Sequence, residues 1–160
     1  MPHLIEGKLT GKGRYALIVS RFNGMITERL LEGCVDGLIR AGVADADITV
    51  VKVPGAFEMP VVAQRLAGSG EFDCVVGLGC VIRGATPHFE HIAGSVTRGL
   101  ADVAVQTGVP VINAVLTTDT IEQAVERAGT KAGNKGFDAA RNAVEMVHVM
   151  KGLPKKTGGK

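Results

Sequence analysis

The chain has 160 residues, with 18 Lys plus Arg against 16 Asp plus Glu, three Cys, four His and no Trp. That length suits one domain with a core of its own, and 46% hydrophobic against 21% charged residues excludes the disordered class. The net charge of +2 arises in the last ten residues, Lys151 to Lys160, which hold four Lys and no acid; the remaining 14 basic and 16 acidic groups offer no clustered basic groove for nucleic acid.

In chain order, the segment from Ile5 to Gly13 is too polar for a core strand but suits addition to a neighbour's sheet edge. Tyr15 to Val19, like Ile48 to Val53, Cys74 to Ile82 and Val111 to Leu116 after it, is continuous, apolar and β-branched, the pattern of a strand buried on both faces. An amphipathic helix follows, with Leu30, Leu31, Cys34, Val35 and Leu38 on one stripe and Arg29, Glu32, Asp36 and Arg40 opposite. Ile48 to Val53 reads as a second strand, and Glu58 to about Leu66 as a helix that fades at Gly68-Ser69-Gly70. Cys74 to Ile82 is a third strand. The helix after it carries Phe89, Ile92, Val96, Leu100 and Val103 inward and stops near Gly108-Val109-Pro110.

Val111 to Leu116 is a fourth strand, followed by a helix with Asp119 as N-cap and Glu122 at N3, running to Gly129. A last helix turns Ala140, Ala143, Val144 and Val147 inward, and the lysine-rich end from Lys151 reads as a frayed tail. Four repeats of strand and helix specify a parallel four-stranded sheet between two helical layers, a three-layer α/β/α architecture spanning residues 1–160 as one domain, with 1–13 as an arm.

No apolar run is long enough to cross a bilayer, and Met1 to Gly7 lacks the basic-then-apolar order of a signal peptide. Cys34, Cys74 and Cys80 are odd in number, without a C-x-x-C pair and each in an apolar stretch. They read as small buried hydrophobes in a reducing, cytoplasmic compartment. The mean hydropathy of +0.22 is high for a free monomer and implies apolar surface covered by other subunits.

In a parallel sheet the ligand site lies beyond the carboxyl ends of the strands, which selects four short loops. Arg83-Gly84-Ala85-Thr86-Pro87-His88 says most. Thr86 suits an N-cap, Pro87 the first helical position, and Gly84 a close backbone approach, so free N–H groups at the helix start form an anion site. His88 then stands beside that anion as a proton shuttle, although on this loop alone a capped helix with an exposed His is the slightly better reading. Pro54-Gly55-Ala56-Phe57-Glu58 places an aromatic and a carboxylate at another helix start, and Phe22 sits at the same sheet end; Glu58 as a partner of the helix dipole is the plainer alternative. Gly77-x-Gly79 lies inside a strand and is no dinucleotide fingerprint, and no Walker lysine is present. His88 and His91 lack a third ligand at a matching spacing, so no metal is expected. Arg127 and Lys135 are far from the loops in sequence and default to solvated surface charges.

Five blocks taken together resemble the lumazine synthase family. They are Arg21-Phe22-Asn23, Pro54 to Pro60, Gly79 to Phe89, Val115 to Asp119, and Arg127 to Gly136. The resemblance implies a flavodoxin-like fold and a cofactor-free condensation of 5-amino-6-(ribitylamino)uracil with 3,4-dihydroxy-2-butanone 4-phosphate. It implies that Phe22 stacks on the pyrimidine, that backbone at Val81 and Ile82 bonds its edge, and that Ala56, Phe57 and Glu58 hold the ribityl chain. Gly84, Ala85 and Thr86 would bind the phosphate opposite Arg127, His88 would move protons, and Lys135 would anchor the pyrimidine. Arg127, Lys135 and Asn113 would come from a neighbouring subunit; position 113 is aromatic in some members. Family members form pentamers, some of which build an icosahedral shell and pair with a riboflavin synthase. Two other activities fit the resemblance: an archaeal-type riboflavin synthase, which needs no phosphate site, and an inactive flavin-binding or shell-forming relative.

Overall fold

The β-branched runs and amphipathic stripes resolve into alternating strands and helices in a computed structural model, which describes residues 1–155. The order is β1 (Tyr15–Ser20), α1 (Gly24–Arg40), β2 (Ile48–Val53), α2 (Met59–Gly68), β3 (Cys74–Ile82), α3 (His88–Thr107), β4 (Val111–Thr118), α4 (Ile121–Glu126), β5 (Ala128–Thr130), β6 (Gly133–Asn134) and α5 (Lys135–Gly152). β1 to β4 form one parallel sheet in the order β2-β1-β3-β4. β5 and β6 make a separate small antiparallel hairpin.

Side chains alternate across a strand, so each face of β1 feeds a different helical layer. Tyr15, Leu17 and Val19 join Val76 and Leu78 against α1 and α5, whereas Ala16 and Ile18 join Val75 against α2 and α3. The result is the expected three-layer α/β/α fold, flavodoxin-like in form. Leu30 and Leu38 on α1 are fully buried, each contributing about 2 kcal/mol through apolar burial.

The strands are not equivalent. β1 and β3 are central and buried on both faces, as their composition predicts. β2 and β4 are the sheet's edges, and Thr49, Val50 and Lys52 on β2 are exposed. A continuous apolar run therefore marks the two inner strands correctly and overstates the burial of the outer two. Gly77 and Gly79 have a packing reason: a Cβ at Gly79 would lie 2.9 Å from the Met59 methyl and one at Gly77 3.4 Å from the Met59 sulfur. α2 needs those gaps to sit close on the sheet.

Three helix boundaries differ from expectation. Thr120, not Asp119, caps α4, its hydroxyl accepting from the Gln123 N–H, because the Asp119 carboxylate is engaged by Arg83. α4 ends at Glu126, since Ala128 turns into the hairpin. The last helix continues through Gly152, which packs on Ile5 of the N-terminal arm, so fraying does not begin at Lys151. Residues 156–160 of the predicted tail lie outside the described residues. The arm itself runs over α5 and the end of α1: Gly7 meets Glu145, Gly11 meets His148, and the Gly11 N–H donates to the Ala41 carbonyl at 3.1 Å.

The three thiols are free and buried. Burial pushes Cys34 up to about 12 and Cys80 up to about 11 from an ordinary value of 9.0. Burial also raises Cys74, assisted by Cys34 and Asp73. An unfolded thiol ionises near pH 9 while the folded one keeps its proton, so above that pH the unfolded state binds fewer protons and stability falls. The expected loss is up to about 1.4 kcal/mol per thiol per pH unit from pH 9 toward pH 11, with none from this source below about pH 8. Urea midpoints at rising pH measure it. A flat profile through this window would show that the thiols ionise freely in the fold.

Candidate active site

The carboxyl ends of β1, β2 and β3 open on a cavity of about 310 Å³. Phe22 reaches it from β1, and Ala56, Phe57 and Glu58 from a single 3-10 turn after β2. Val81 and Ile82 line it from the end of β3, and Gly84, Thr86, His88 and Phe89 from the loop and first turn of α3. Ala85 lies exposed in the same loop. The sequence-predicted residues on these three loops thus converge.

Local backbone chemistry aims Phe22. Asn23 has φ 59 and ψ 42, a left-handed conformation that Asn tolerates better than most residues. Its carbonyl accepts from the Ile26 and Thr27 N–H groups to start α1, and its side-chain amide donates to the Cys80 carbonyl at 2.9 Å. The Phe22 N–H donates to the Pro54 carbonyl at 3.0 Å. Tied on both sides, the turn leaves the Phe22 ring 71% exposed, and Phe57 is 60% exposed. Two such rings at one cavity are surfaces for a flat apolar or aromatic group.

Glu58 serves its own turn as well: one carboxylate oxygen accepts from the Gly55 N–H at 3.1 Å. The plain structural role and a ligand role coexist, because a carboxylate accepts several hydrogen bonds. At the third loop, α3 begins at His88 with Pro87 before it, so Thr86 is one residue too early to cap. No side chain caps α3. Among the described residues, the N–H groups of Gly84, Ala85 and Thr86 donate to no protein acceptor. A Cβ at Gly84 would meet nothing within 4 Å, so the open space lies where a ligand would enter. Unpaired donors at the positive end of a twenty-residue helix attract an anion. His88 is exposed beside them.

Arg127 and Lys135 are elsewhere. They line a second concavity of about 380 Å³ along β4, with Val115, Thr117, Thr118 and Asp138, and share no lining residue with the first. Arg127 donates through Nη1 to the Gln123 carbonyl at 2.8 Å, and the same atom lies 4.0 Å from the Glu126 carboxylate. Lys135 starts α5, whose cap is Asn134, accepting from the Gly136 and Phe137 N–H groups. The antiparallel hairpin of β5 and β6 brings the two cations together: the Lys135 N–H donates to the Arg127 carbonyl at 2.8 Å. Asn113 lines neither concavity. Its side-chain oxygen accepts from the Val115 N–H at 3.0 Å, satisfying a donor on the sheet's outer strand.

A protein-family model described as 6,7-dimethyl-8-ribityllumazine synthase matches residues 12–151, nearly the whole chain. The chain belongs to the lumazine synthase family. The match includes all four strand-end loops, the hairpin and α5 as far as Lys151, so both concavities lie in the family's shared region. Family membership supports a transferase-type role in riboflavin biosynthesis. Among the described residues no helix is long and apolar enough to cross a membrane, and no three of His, Cys, Asp and Glu gather as a metal site.

Arg83 opens the third strand-end loop, and the sequence alone assigns it no role. It stands between the β3 strand and the anion loop, with Nε donating to Asp119 at 2.7 Å and Nη1 to Glu90 at 3.1 Å. Its guanidinium carbon lies 4.6 Å from the Phe89 ring centre. The two carboxylates hold it in its charged form. Only the R-G dipeptide beside a predicted anion loop could have signalled it; its partners are 7 and 36 residues away.

Proposed function

We propose that the chain condenses 5-amino-6-(ribitylamino)uracil with 3,4-dihydroxy-2-butanone 4-phosphate to 6,7-dimethyl-8-ribityllumazine, releasing phosphate and water. The observation that carries this reading is that one chain bears two complementary half-sites that do not meet. A ring-and-anion cavity opens at the ends of β1 to β3, and a guanidinium and an ammonium lie together along β4. A second copy that sets its β4 edge against the cavity supplies both cations to it. Repeated head-to-tail, that contact closes a ring, which is the pentamer of the reading; an icosahedral shell and a riboflavin synthase partner extend it.

In the assembled site the pyrimidine lies on the Phe22 ring, with its polar edge against backbone at Val81 and Ile82 and Lys135 as a polar anchor beside it. The ribityl chain runs along Ala56 and Phe57, with hydroxyls donating to the free oxygen of Glu58. The N–H groups of Gly84, Ala85 and Thr86 hold the phosphate from one side and the Arg127 fork from the other. The pyrimidine amine attacks the ketone and expels water to give an imine. His88 accepts a proton from carbon as phosphate leaves and returns it to the terminal carbon of the resulting enol, making a methyl ketone; the ribitylamino nitrogen then adds to that ketone and closes the ring with loss of a second water. Both substrates are reactive already, so order and proximity supply most of the acceleration, up to about 7–11 kcal/mol in well-oriented systems. No metal or organic cofactor enters the scheme, and the cytoplasm is the setting of the reading.

Mixing the two substrates with the protein and following the fluorescence of the lumazine tests the assignment. If only preformed lumazine is consumed, the archaeal-type riboflavin synthase activity replaces it; if neither reaction occurs, the chain is an inactive relative. Sharing of the site is tested separately. Phe22→Asp and Arg127→Glu each disable one half-site, and each alone is expected to be inactive. Co-assembled in equal amounts, they regenerate about a quarter of the native sites, because one contact in four then joins two intact halves. A mixture no more active than either variant would mean that each chain works alone.

A further inference from the structure

We propose that Arg83 is the positioning residue of the anion loop: a latch that holds Gly84 to His88 open to the phosphate without touching it. The inference rests on the proposed phosphate site. The loop is poorly held by its own backbone, since among the described residues Gly84, Ala85 and Thr86 spend no N–H on protein acceptors. Free donors suit an anion but leave the segment with little to fix its shape.

Arg83 supplies what the backbone does not. Its own N–H continues the sheet by donating to the Thr118 carbonyl at 2.8 Å, which anchors the start of the loop. The guanidinium then spans to Asp119 at the end of β4 and to Glu90 in the first turn of α3, and lies over the ring of Phe89. One planar group thus joins β3, β4 and the helix whose N-terminus faces the anion. Arg83 is not among the residues lining the cavity, so its charge is committed behind the loop rather than to a ligand in it. Each pair is about half exposed and weak alone, but the fork, the second carboxylate and the ring act on one group and fix one geometry.

The alternative is that Arg83 is a second phosphate cation, and substitution separates the two. Arg83→Lys keeps the charge and loses the planar fork. The latch predicts that Arg83→Lys and Arg83→Ala both raise the Michaelis constant for the phosphate substrate by about five- to tenfold, with that for the pyrimidine unchanged. Native behaviour of Arg83→Lys beside an impaired Arg83→Ala would overturn it in favour of charge alone. Equal losses on both substrates would overturn it in favour of general support of the fold, and no loss in either variant would overturn it outright. Turnover by the unmodified protein is measured in the same series, so failure of the proposed reaction shows itself there. In that event the dissociation constant of inorganic phosphate, read by phosphorus NMR on the native and Arg83→Lys proteins, decides the latch: weaker binding in the variant supports it, and equal binding overturns it.

Discussion

Gly136→Ala should destabilise the protein by about 3 kcal/mol or more, although Ala is the better helix former by about 1 kcal/mol. Gly136 is buried in the first turn of α5, where a Cβ would land on the Leu30 carbonyl of α1. That obstacle is backbone and has no rotamer by which to yield. The neighbouring approach is equally tight: a Cβ at Gly37 would stand 2.7 Å from the Cβ of Ala140. The two helices can separate only by dismantling the layer that covers Leu17, Val76 and Leu78. Gly94→Ala is the control, since Gly94 is exposed in α3 with nothing within 4 Å of an added Cβ. It should be neutral or stabilise by up to about 1 kcal/mol through propensity. Denaturant midpoints of the two variants give opposite signs if close approach governs α1 and α5, and the same sign if it does not. Because Lys135 precedes Gly136, a folded remnant of Gly136→Ala should also bind the pyrimidine poorly.

Arg127→Ala should weaken binding of the phosphate substrate selectively. The Michaelis constant for the phosphate substrate should rise about 10- to 100-fold, the loss of roughly 1.5–3 kcal/mol of charge-assisted hydrogen bonding. The constant for the pyrimidine should move little. Arg127 is suited to this role because its Nη1 is already held by the Gln123 carbonyl, which orders the fork before any ligand arrives. Arg127→Lys should recover only part of the loss, since an ammonium offers charge without the planar pair of donors. Steady-state kinetics with each substrate varied in turn checks this. Equal rises for both substrates would remove Arg127 from the phosphate and leave the β4 concavity without its assigned part.

Much of the fold was legible in the chain because its signals are local. The β-branched runs of β1 and β3 and the stripes of α1 and α3 carry their periodicity within a few residues of themselves. The misplaced caps show where local signals compete. Asp119 and Thr120 are both good N-cap residues, and the choice fell to Thr120 because Arg83, distant in sequence, claims the Asp119 carboxylate. The exposure of the edge strands β2 and β4 escapes the sequence pattern for a related reason: an apolar strand carries no record of how many strands will flank it.

The candidate site divides along the same line. The sequence alone determined the chemistry at the strand ends, because in a parallel sheet every βα loop opens on one side, so Phe22, Glu58 and the Gly84–His88 loop had to gather there. Which charges accompany them was decided only by tertiary structure. The hairpin of β5 and β6 folds Lys135 back onto Arg127, the close crossing of α1 and α5 fixes where that hairpin sits, and Arg83 finds two carboxylates on separate elements. Short-range patterning specifies which segments become strands and helices. Pairings between residues far apart in sequence depend on three-dimensional approach, which no local pattern encodes.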